Sequence, residues 1–451
     1  MNRRSLAAAL GAGALVLGLA APAAAVGGPP PLPSASFGTP NGSFVFGTSI
    51  TFSQPVDLFG ASKRVELLLT EPGSIGPTVL EVANPGSGQH TLSDVLKIAD
   101  GHVYPNTKFI AQWRVTAPDG TLELGPPLNL TYQDTRFDWQ TKTGPIVRVH
   151  WYQGDDAFGA RALAIGEQGI ANAATLLGVT ETQPVDFYIY ASNQPFYDAL
   201  GPGTRENVGG EADAQIRTLF ALITPDEISA SWVGVVIPHE LTHLVFNTAI
   251  DNPYHAPSRW LNEGLAVYLS EGYTPSWRAA VSAAVKSGGV IPLDGLVGQF
   301  PTSADLFRLA YGESVSAVDF MIRNYGKPAL VKLIRSYAGG VSDDEAFTAA
   351  LGVDTAGFNA AWLADLGATT PKAYGPQPAP AGPLPSGWGD APVAVGQASA
   401  GPVEPAPAGA QGSGQTGDSS GFLVGGAVVL LLVGGGLLVA RSRRSRPGTL
   451  Q

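Results

Sequence analysis

The sequence predicts a multidomain chain in which an all-β, immunoglobulin-like sandwich precedes an α+β domain. Short alternating apolar runs separated by turn sequences fill residues 36–135, and strand-like runs followed by long helical patterns fill residues 138–368. The composition then changes to a Pro/Ala/Gly-rich segment at 369–420 and to twenty uncharged residues at 421–440. These changes divide the chain into two folded units, which are flanked at both ends by segments of a different composition.

Residues 1–25, "MNRRSLAAALGAGALVLGLAAPAAA", have the pattern of a signal peptide. Arg3 and Arg4 precede an apolar stretch, and small residues end the segment, as signal peptidase requires. The sequence therefore predicts export, with an uncleaved anchor as the alternative.

The β region shows period-two alternation in three runs, "SITFSQ", "RVELLL" and "KFIAQWRV". Turn sequences such as "NPGSG" and "PDG" separate the apolar runs. About 100 residues of short strands are typical of an immunoglobulin-like sandwich.

The following region begins with the strand-like run "PIVRVHW" and an amphipathic helix over 157–177. "VDFYIY" and "RTLFALI" (217–223) predict two more strands, and helical patterns continue to about residue 366. Strands followed by helices predict an α+β domain.

The C-terminal segments predict a disordered stalk over 369–420 and a transmembrane helix over 421–440. Twenty helical residues at about 1.5 Å each span about 30 Å, the thickness of the hydrocarbon core. The basic tail, 441–451, contains "RSRRSR" and is expected in the cytoplasm. The predicted location is therefore the cell membrane, with a single pass and the N-terminal ectodomain outside.

Composition restricts the chemistry that the chain can carry. The absence of cysteine excludes disulfides, thiol catalysis and cysteine-ligated zinc, so a metal site must use His, Asp or Glu. A net charge of −11 opposes binding to phosphate backbones, and we expect no nucleic-acid partner.

The segment "PHELTHLVF" (238–246) contains the most specific chemical pattern. On a helix, His239 and His243 lie four residues apart on one face, so both imidazoles can point at one metal ion. Glu240 lies beside the first histidine and can reach a water on that ion. The pattern predicts a metal-binding helix with an acid–base group.

A third ligand is expected because catalytic zinc keeps three protein ligands and one open position. In "RWLNEGLAVYLSEG" (259–272), Glu263 lies among apolar residues at helical spacing. A buried carboxylate is costly unless it is paired or metal-bound, so Glu263 is the predicted third ligand; the alternative is a surface carboxylate.

"HELTH" followed by "WLNEG" resembles the gluzincin metallopeptidases, and the wider context is similar to the bacterial peptidase MA-like group. This resemblance implies a zincin-like (gluzincin) α+β domain and one Zn²⁺ per chain. It implies that the ligands are His239, His243 and Glu263, and that Glu240 is the general base. It also implies that "RTLFALI" is the edge strand along which a peptide would lie.

Gluzincins usually add a Tyr or His that stabilises the oxyanion. Tyr311 is the favoured candidate, with Tyr268 and His255 as alternatives and a core tyrosine as the competing interpretation. Asn262, next to a ligand, could orient one of the histidines. Related aminopeptidases carry GxMEN where this chain reads "NVGGEADAQ" (207–215), and here a loop carboxylate is favoured for Glu211 over a terminus-binding role.

The sequence therefore predicts a membrane-anchored, extracytoplasmic, zinc-dependent metallopeptidase that acts on a peptide or protein substrate. Two alternatives stay open. The chain could be a cell-surface adhesion protein on a zincin scaffold, or a zinc hydrolase that does not cleave peptides.

Overall fold

The computed structural model describes residues 35–201, 208–250, 252, 255–369 and 427–430. The predicted signal peptide and basic tail lie outside the described residues. So do nearly all of the predicted stalk and most of the predicted membrane span.

The N-terminal region is a sandwich of two antiparallel sheets. Its strands are β1 (Ala35–Phe37), β2 (Asn41–Val45), β3 (Ser49–Leu58), β4 (Arg64–Thr70), β5 (Thr78–Val82), β6 (Gly88–Lys97), β7 (Lys108–Thr116), β8 (Leu122–Leu124) and β9 (Leu128–Thr131). In the first sheet, β3 pairs with β1 and β2 on one side and with β6 on the other; the second has the order β5-β4-β7-β8, with β9 also on β7. Alternate residues of β3, β4 and β7 fill a core that includes Phe52, Phe109 and Trp113. The alternation of apolar and polar residues predicted from the sequence is thus present in the strands of a β-rich N-terminal region.

A mixed sheet begins the second region. Its strands are β10 (Gln140–Thr143), β11 (Val147–Trp151), β12 (Val185–Tyr190), β13 (Val208–Asp213) and β14 (Thr218–Leu222). The order is β10-β11-β12-β14-β13, with β11, β12 and β14 parallel and the outer pairs antiparallel.

The strand order corrects one expectation. "RTLFALI" forms β14, which lies inside the sheet between β12 and β13, so its assignment as the edge strand was wrong. The strand beyond it is β13, in the "VGGEAD" sequence that was predicted to be a loop. Two consecutive glycines have low strand propensity, which is why the local pattern concealed this strand.

Most of the helices follow the mixed sheet in the sequence. They are α1 (Asp156–Leu177), α2 (Asn193–Leu200), α3 (Val233–Ile250), α4 (Arg259–Ser270), α5 (Pro275–Ser287), α6 (Ala304–Tyr325), α7 (Lys327–Ser336), α8 (Asp343–Leu351) and α9 (Thr355–Leu366). The fold is thus a β-rich region followed by an α+β domain.

The mixed sheet is buried on both faces. Along β12, Val185, Phe187 and Ile189 face the helical core. Tyr188 and Tyr190 belong to a separate aromatic cluster on the other face, together with Phe196 and Phe220. Partly buried aromatics pack against this cluster from the N-terminal region and from the connection to it: Phe46, Tyr104, Phe137 and Trp139. The sandwich therefore packs on the sheet face opposite the long helices.

Polar contacts also join the two regions. Asn106 has a positive φ of 72°, and its amide donates to Asp186 Oδ2 at 2.9 Å and to Thr218 Oγ1 at 2.8 Å. Arg148 and His150 bond the same Asp186 carboxylate, at 2.6–2.9 Å. A buried carboxylate satisfied from both regions fixes their relative position.

Residues 427–430 form a short strand, β15 (Ala427–Leu430), that pairs antiparallel with β13. These residues lie within the span predicted to be a transmembrane helix, and here they are extended. An unpaired strand edge offers a row of backbone donors and acceptors, which an apolar segment can satisfy. Within the described part of the chain, no helix is both long and apolar enough to cross a membrane.

Candidate metal centre

Helix α3 carries the HExxH residues in its buried interior. His239, Glu240 and His243 are all 5% exposed or less. The helix is apolar on nearly all sides because α1, α4 and the sheet enclose it. Its two histidines are one turn apart, with ring centroids separated by 4.9 Å.

Helix α4 places Glu263 opposite the two imidazoles. Glu263 Oε2 lies 3.4 Å from His239 Nε2 and 3.6 Å from His243 Nε2. One potential ligand atom from each residue falls within 4.8 Å of the others. Among the described residues, this is the group of His, Asp and Glu side chains that could hold a metal ion.

The unsatisfied polar atoms of this cluster test whether a metal fits. Both Nε2 atoms and both Glu263 oxygens are buried without a hydrogen-bond partner, although such atoms are normally paired. Ligands about 2.0–2.1 Å from a tetrahedral Zn²⁺ lie about 3.3–3.5 Å apart, close to the two distances above. The residues therefore fit one divalent cation.

Asn262 orients one histidine of the cluster. Its Oδ1 lies 2.8 Å from His243 Nδ1. Because an amide oxygen only accepts, Nδ1 carries the proton and Nε2 keeps its lone pair for a metal. The structure thus places Asn262 where the sequence suggested.

The electrostatics of the cluster favour the charge states that a metal needs. Burial lowers the pKa of His243 to about 4, which keeps the imidazole neutral. Burial works to raise the pKa of Glu263, yet the facing imidazoles and the Arg259 guanidinium outweigh it and lower that pKa to about 2. Neutral His and ionised Glu are the ligand forms that bind zinc.

Arg259 is a component of the site that the sequence reasoning missed. Its Nη2 lies 3.3 Å from Glu263 Oε1, the oxygen that does not face the histidines. Its guanidinium carbon lies 5.0 Å from the centroid of the Phe300 ring. The i, i+4 spacing of Arg259 and Glu263 on one helix was a signal that could have revealed the pair.

Glu240 is fully buried, and neither of its carboxylate oxygens has a hydrogen-bond partner. Burial raises the pKa of Glu240 well above its ordinary value, and the nearby Glu263 and Glu211 carboxylates add to the shift. Strand β13 lies against this side chain: a Cβ added to Gly210 would be 3.2 Å from Glu240 Cγ. A carboxyl with a raised pKa beside a metal site is suited to accept and return a proton.

Helix α6 brings Tyr311 to the same cluster. Its ring centroid lies 6.3 Å from that of His239, and the residue is 5% exposed. Burial raises the pKa of Tyr311 well above its ordinary value, and the adjacent Glu263 carboxylate contributes. The close packing of α6 on α4 depends on Gly264, since a Cβ there would lie 2.4 Å from the Ser314 carbonyl oxygen of α6.

The other candidates lie elsewhere. Tyr268 lines a surface groove together with Leu269 and residues of α1 and α7. His255 is exposed and lies 3.2 Å from Asp343 Oδ1. Of the three oxyanion candidates, Tyr311 is the one that the structure brings to the group that could hold a metal.

Glu211 differs from its expected place in a loop. It lies on β13, is 4% exposed, and accepts a 2.8 Å hydrogen bond from the Tyr104 hydroxyl of the β-rich region. Burial raises the pKa of Glu211 to about 7, although the bond from Tyr104 opposes this. Since the partner is 107 residues distant in sequence, no local pattern could have revealed the pair.

Comparison with known protein families finds a match in the second region of the chain. Residues 165–368 match the family model described as the Peptidase MA superfamily. The predicted resemblance to the peptidase MA-like group is thereby confirmed for this part of the chain.

The solved structures that match the chain include the following two. An aminopeptidase N family protein from Idiomarina loihiensis is 12% identical, with 71% of this chain and 76% of that chain covered and a TM-score of 0.40. A mutant M1 zinc metallopeptidase from Deinococcus radiodurans, bound to a Tyr-Ser-Ala substrate, is 14% identical, with 72% and 91% covered and a TM-score of 0.36.

OgpA from Akkermansia muciniphila is 13% identical, with a TM-score of 0.19; 22% of this chain is covered, and only 29% of that protein's length. No curated protein matches the sequence.

Proposed function

We propose that this chain is a zinc-dependent metallopeptidase that hydrolyses peptide bonds. The observation that carries the proposal is the set of buried ligand atoms of His239, His243 and Glu263, which have no hydrogen-bond partner and lie at spacings that suit one tetrahedral Zn²⁺. The unpaired carboxylate of Glu240 beside them supplies the acid–base group. The family match over residues 165–368 supports the same class of reaction.

When bound, zinc would lower the pKa of a water and polarise the scissile carbonyl. Glu240 would accept the proton of that water at its carboxylate and then deliver it to the leaving amine. Tyr311 would donate a hydrogen bond to the oxyanion from its hydroxyl. Asn262 and Arg259 would hold the two ligands that they contact.

The edge of β13 offers a backbone surface for an extended substrate. It lies against α3 at Glu240, and its outer side is paired antiparallel with residues 427–430. An edge that accepts one antiparallel strand has the hydrogen-bonding pattern that an extended peptide requires. We propose that a substrate takes the place of residues 427–430 on this edge, with Glu211 available to bind its N-terminal amine.

We also propose that the reaction takes place outside the cytoplasm, on a chain anchored by residues 421–440. This rests on the apolar segments at both ends and on the basic tail. Protease added outside intact cells should then release the folded regions. Their protection from external protease would contradict this orientation.

The decisive experiment compares Glu240→Gln with the wild-type chain. Glutamine keeps the size of the side chain but cannot take up the proton. We expect about one zinc per chain in both proteins and a loss of about 10²–10⁴-fold in kcat for peptide hydrolysis. Zinc is measured by metal analysis and hydrolysis with a peptide library, with and without a chelator.

A matched control is available in Glu313→Gln. Glu313 is a fully buried carboxyl on α6 that accepts a hydrogen bond from the Ile291 amide at 3.1 Å, and it is not part of the metal cluster. This variant should retain activity. Wild-type protein that stays free of metal in ample zinc would refute the proposal. Zinc-loaded protein that cleaves no peptide would favour a different hydrolase or an adhesion role.

A further inference from the structure

We propose that Tyr104, from the β-rich region, is a positioning residue that fixes the Glu211 carboxylate for substrates with a free N-terminal amine. This inference rests on the proposed peptidase function. It assigns to the N-terminal region a role in substrate selection in addition to its packing role.

The contact is specific and partly buried. The Tyr104 hydroxyl donates to Glu211 Oε1 at 2.8 Å. It engages one of the two carboxylate oxygens and so restricts rotation of the carboxylate. The proposed cationic group would be received by the other oxygen, Oε2. Hydrogen bonds to a charged group are stronger and more directional than neutral ones, so this one can determine a rotamer.

Glu211 is close to the reacting groups. Gly210, the preceding residue, faces Glu240, and the Glu211 charge acts on the pKa of Glu240. A cation held at Glu211 would thus sit next to the general base. The N-terminus of a bound peptide would therefore lie only a few residues from the bond that is cleaved.

Tyr104 is itself held from both sides. Its ring stacks on Phe220, with centroids 6.0 Å apart and planes at 24°, and Phe220 is the β14 residue paired with Glu211. His102 contacts the ring edge-on at 5.1 Å, and its Nε2 lies 3.0 Å from the Ala199 carbonyl oxygen. The hydroxyl therefore has little freedom to move away from Glu211.

The loop that carries Tyr104 is anchored on the catalytic domain immediately afterwards. Asn106 bonds Asp186 and Thr218, and its own backbone amide donates to the Tyr132 carbonyl at 2.6 Å. This anchor lies two positions after Tyr104. The position of the Tyr104 hydroxyl beside Glu211 is thus fixed by the way the sandwich loop is anchored on the mixed sheet.

The test is Tyr104→Phe in the full chain, which removes the hydroxyl and keeps the ring. It is assayed with one peptide in two forms, one with a free N-terminus and one N-acetylated. For the free peptide we expect KM to rise about 10-fold to 100-fold, the range for a lost hydrogen bond to a charged group. KM for the acetylated peptide, the zinc content and kcat should be unchanged.

Two further variants separate positioning from structure. Glu211→Gln should reproduce the selective rise in KM, and the double variant should add little, because both changes remove the same interaction. Tyr132→Phe is the matched control: its hydroxyl accepts from the Gly47 amide within the sandwich at 2.7 Å, so it should lower stability without changing the ratio of the two KM values.

The outcomes distinguish this inference from the function on which it rests. Absence of zinc or of peptide hydrolysis in the wild type rejects the function itself. An active wild type that cleaves both peptides equally, or a Tyr104→Phe variant that weakens both equally, rejects the positioning role alone.

Discussion

The two walls of the candidate site are built in different ways. The helical wall consists of α3, α4 and α6, which supply the metal-ligand cluster, Glu240 and Tyr311. The strand wall consists of β13 with Glu211 and of the sandwich loop with Tyr104. The residues of the helical wall that could hold a metal come from positions 239–263, whereas the strand wall joins residues 107 positions apart.

This difference separates the chemistry of the site from its selectivity. The helical wall holds the groups that would bind a metal and move a proton. The strand wall holds the backbone edge and the carboxylate that would align a substrate. Changes in the first should abolish the reaction, and changes in the second should redistribute it among substrates.

The largest effect should follow from removing a ligand on the helical wall. His239→Ala, His243→Ala or Glu263→Ala leaves two protein ligands, so each variant should lose zinc and all detectable hydrolysis. Some stability should be lost too, because metal binding is coupled to folding. Metal analysis and thermal unfolding measure both. Glu211→Gln, on the strand wall, should keep its zinc, and a loss of zinc there would break the distinction between the walls.

A smaller effect is expected from Tyr311→Phe. Loss of an oxyanion donor costs about 10²–10³ in kcat, equivalent to about 2.7–4 kcal/mol. Steady-state kinetics should show this fall in kcat at unchanged zinc content. An unaltered kcat would remove Tyr311 from the mechanism and leave it as a core residue.

The smallest effect concerns packing within the helical wall. Gly264→Ala puts a Cβ 2.4 Å from the Ser314 carbonyl oxygen, so α4 and α6 must separate, at a cost of about 1–3 kcal/mol in the free energy of unfolding. Gly234→Ala on α3 is the control, because its Cβ meets no atom within 4 Å. Denaturant unfolding compares the two. Equal stability of both variants would show that this close approach of the helices is not required.

The sequence predicted the helical wall well because its determinants are local. His239 and His243 share a face through helical periodicity alone, and Glu263 stands out as a carboxylate among apolar residues. The mixture of strands and helices could likewise be recognised from periodicity, since α1 and β12 lie nearly where their patterns placed them.

The strand wall could not be predicted in this way. Gly209 and Gly210 weaken the strand pattern of β13, although the missing side chain at Gly210 lets the strand lie against Glu240. The order of strands in a sheet depends on long-range pairing, so β14 was mistaken for the edge. Nothing near Tyr104 in the sequence indicates Glu211, because their contact arises from the packing of two domains.

The Asn106 contacts imply an order of assembly. The residues that could hold a metal are at most 24 positions apart, so the loop that must close before they meet is short. The amide of Asn106 reaches a carboxylate 80 positions away and a hydroxyl 112 positions away, so its contacts need both the sandwich loop and the mixed sheet in place. Closing long loops costs more entropy and slows folding. During folding, a molecule would thus be able to hold its metal before the wall that aligns a substrate is complete.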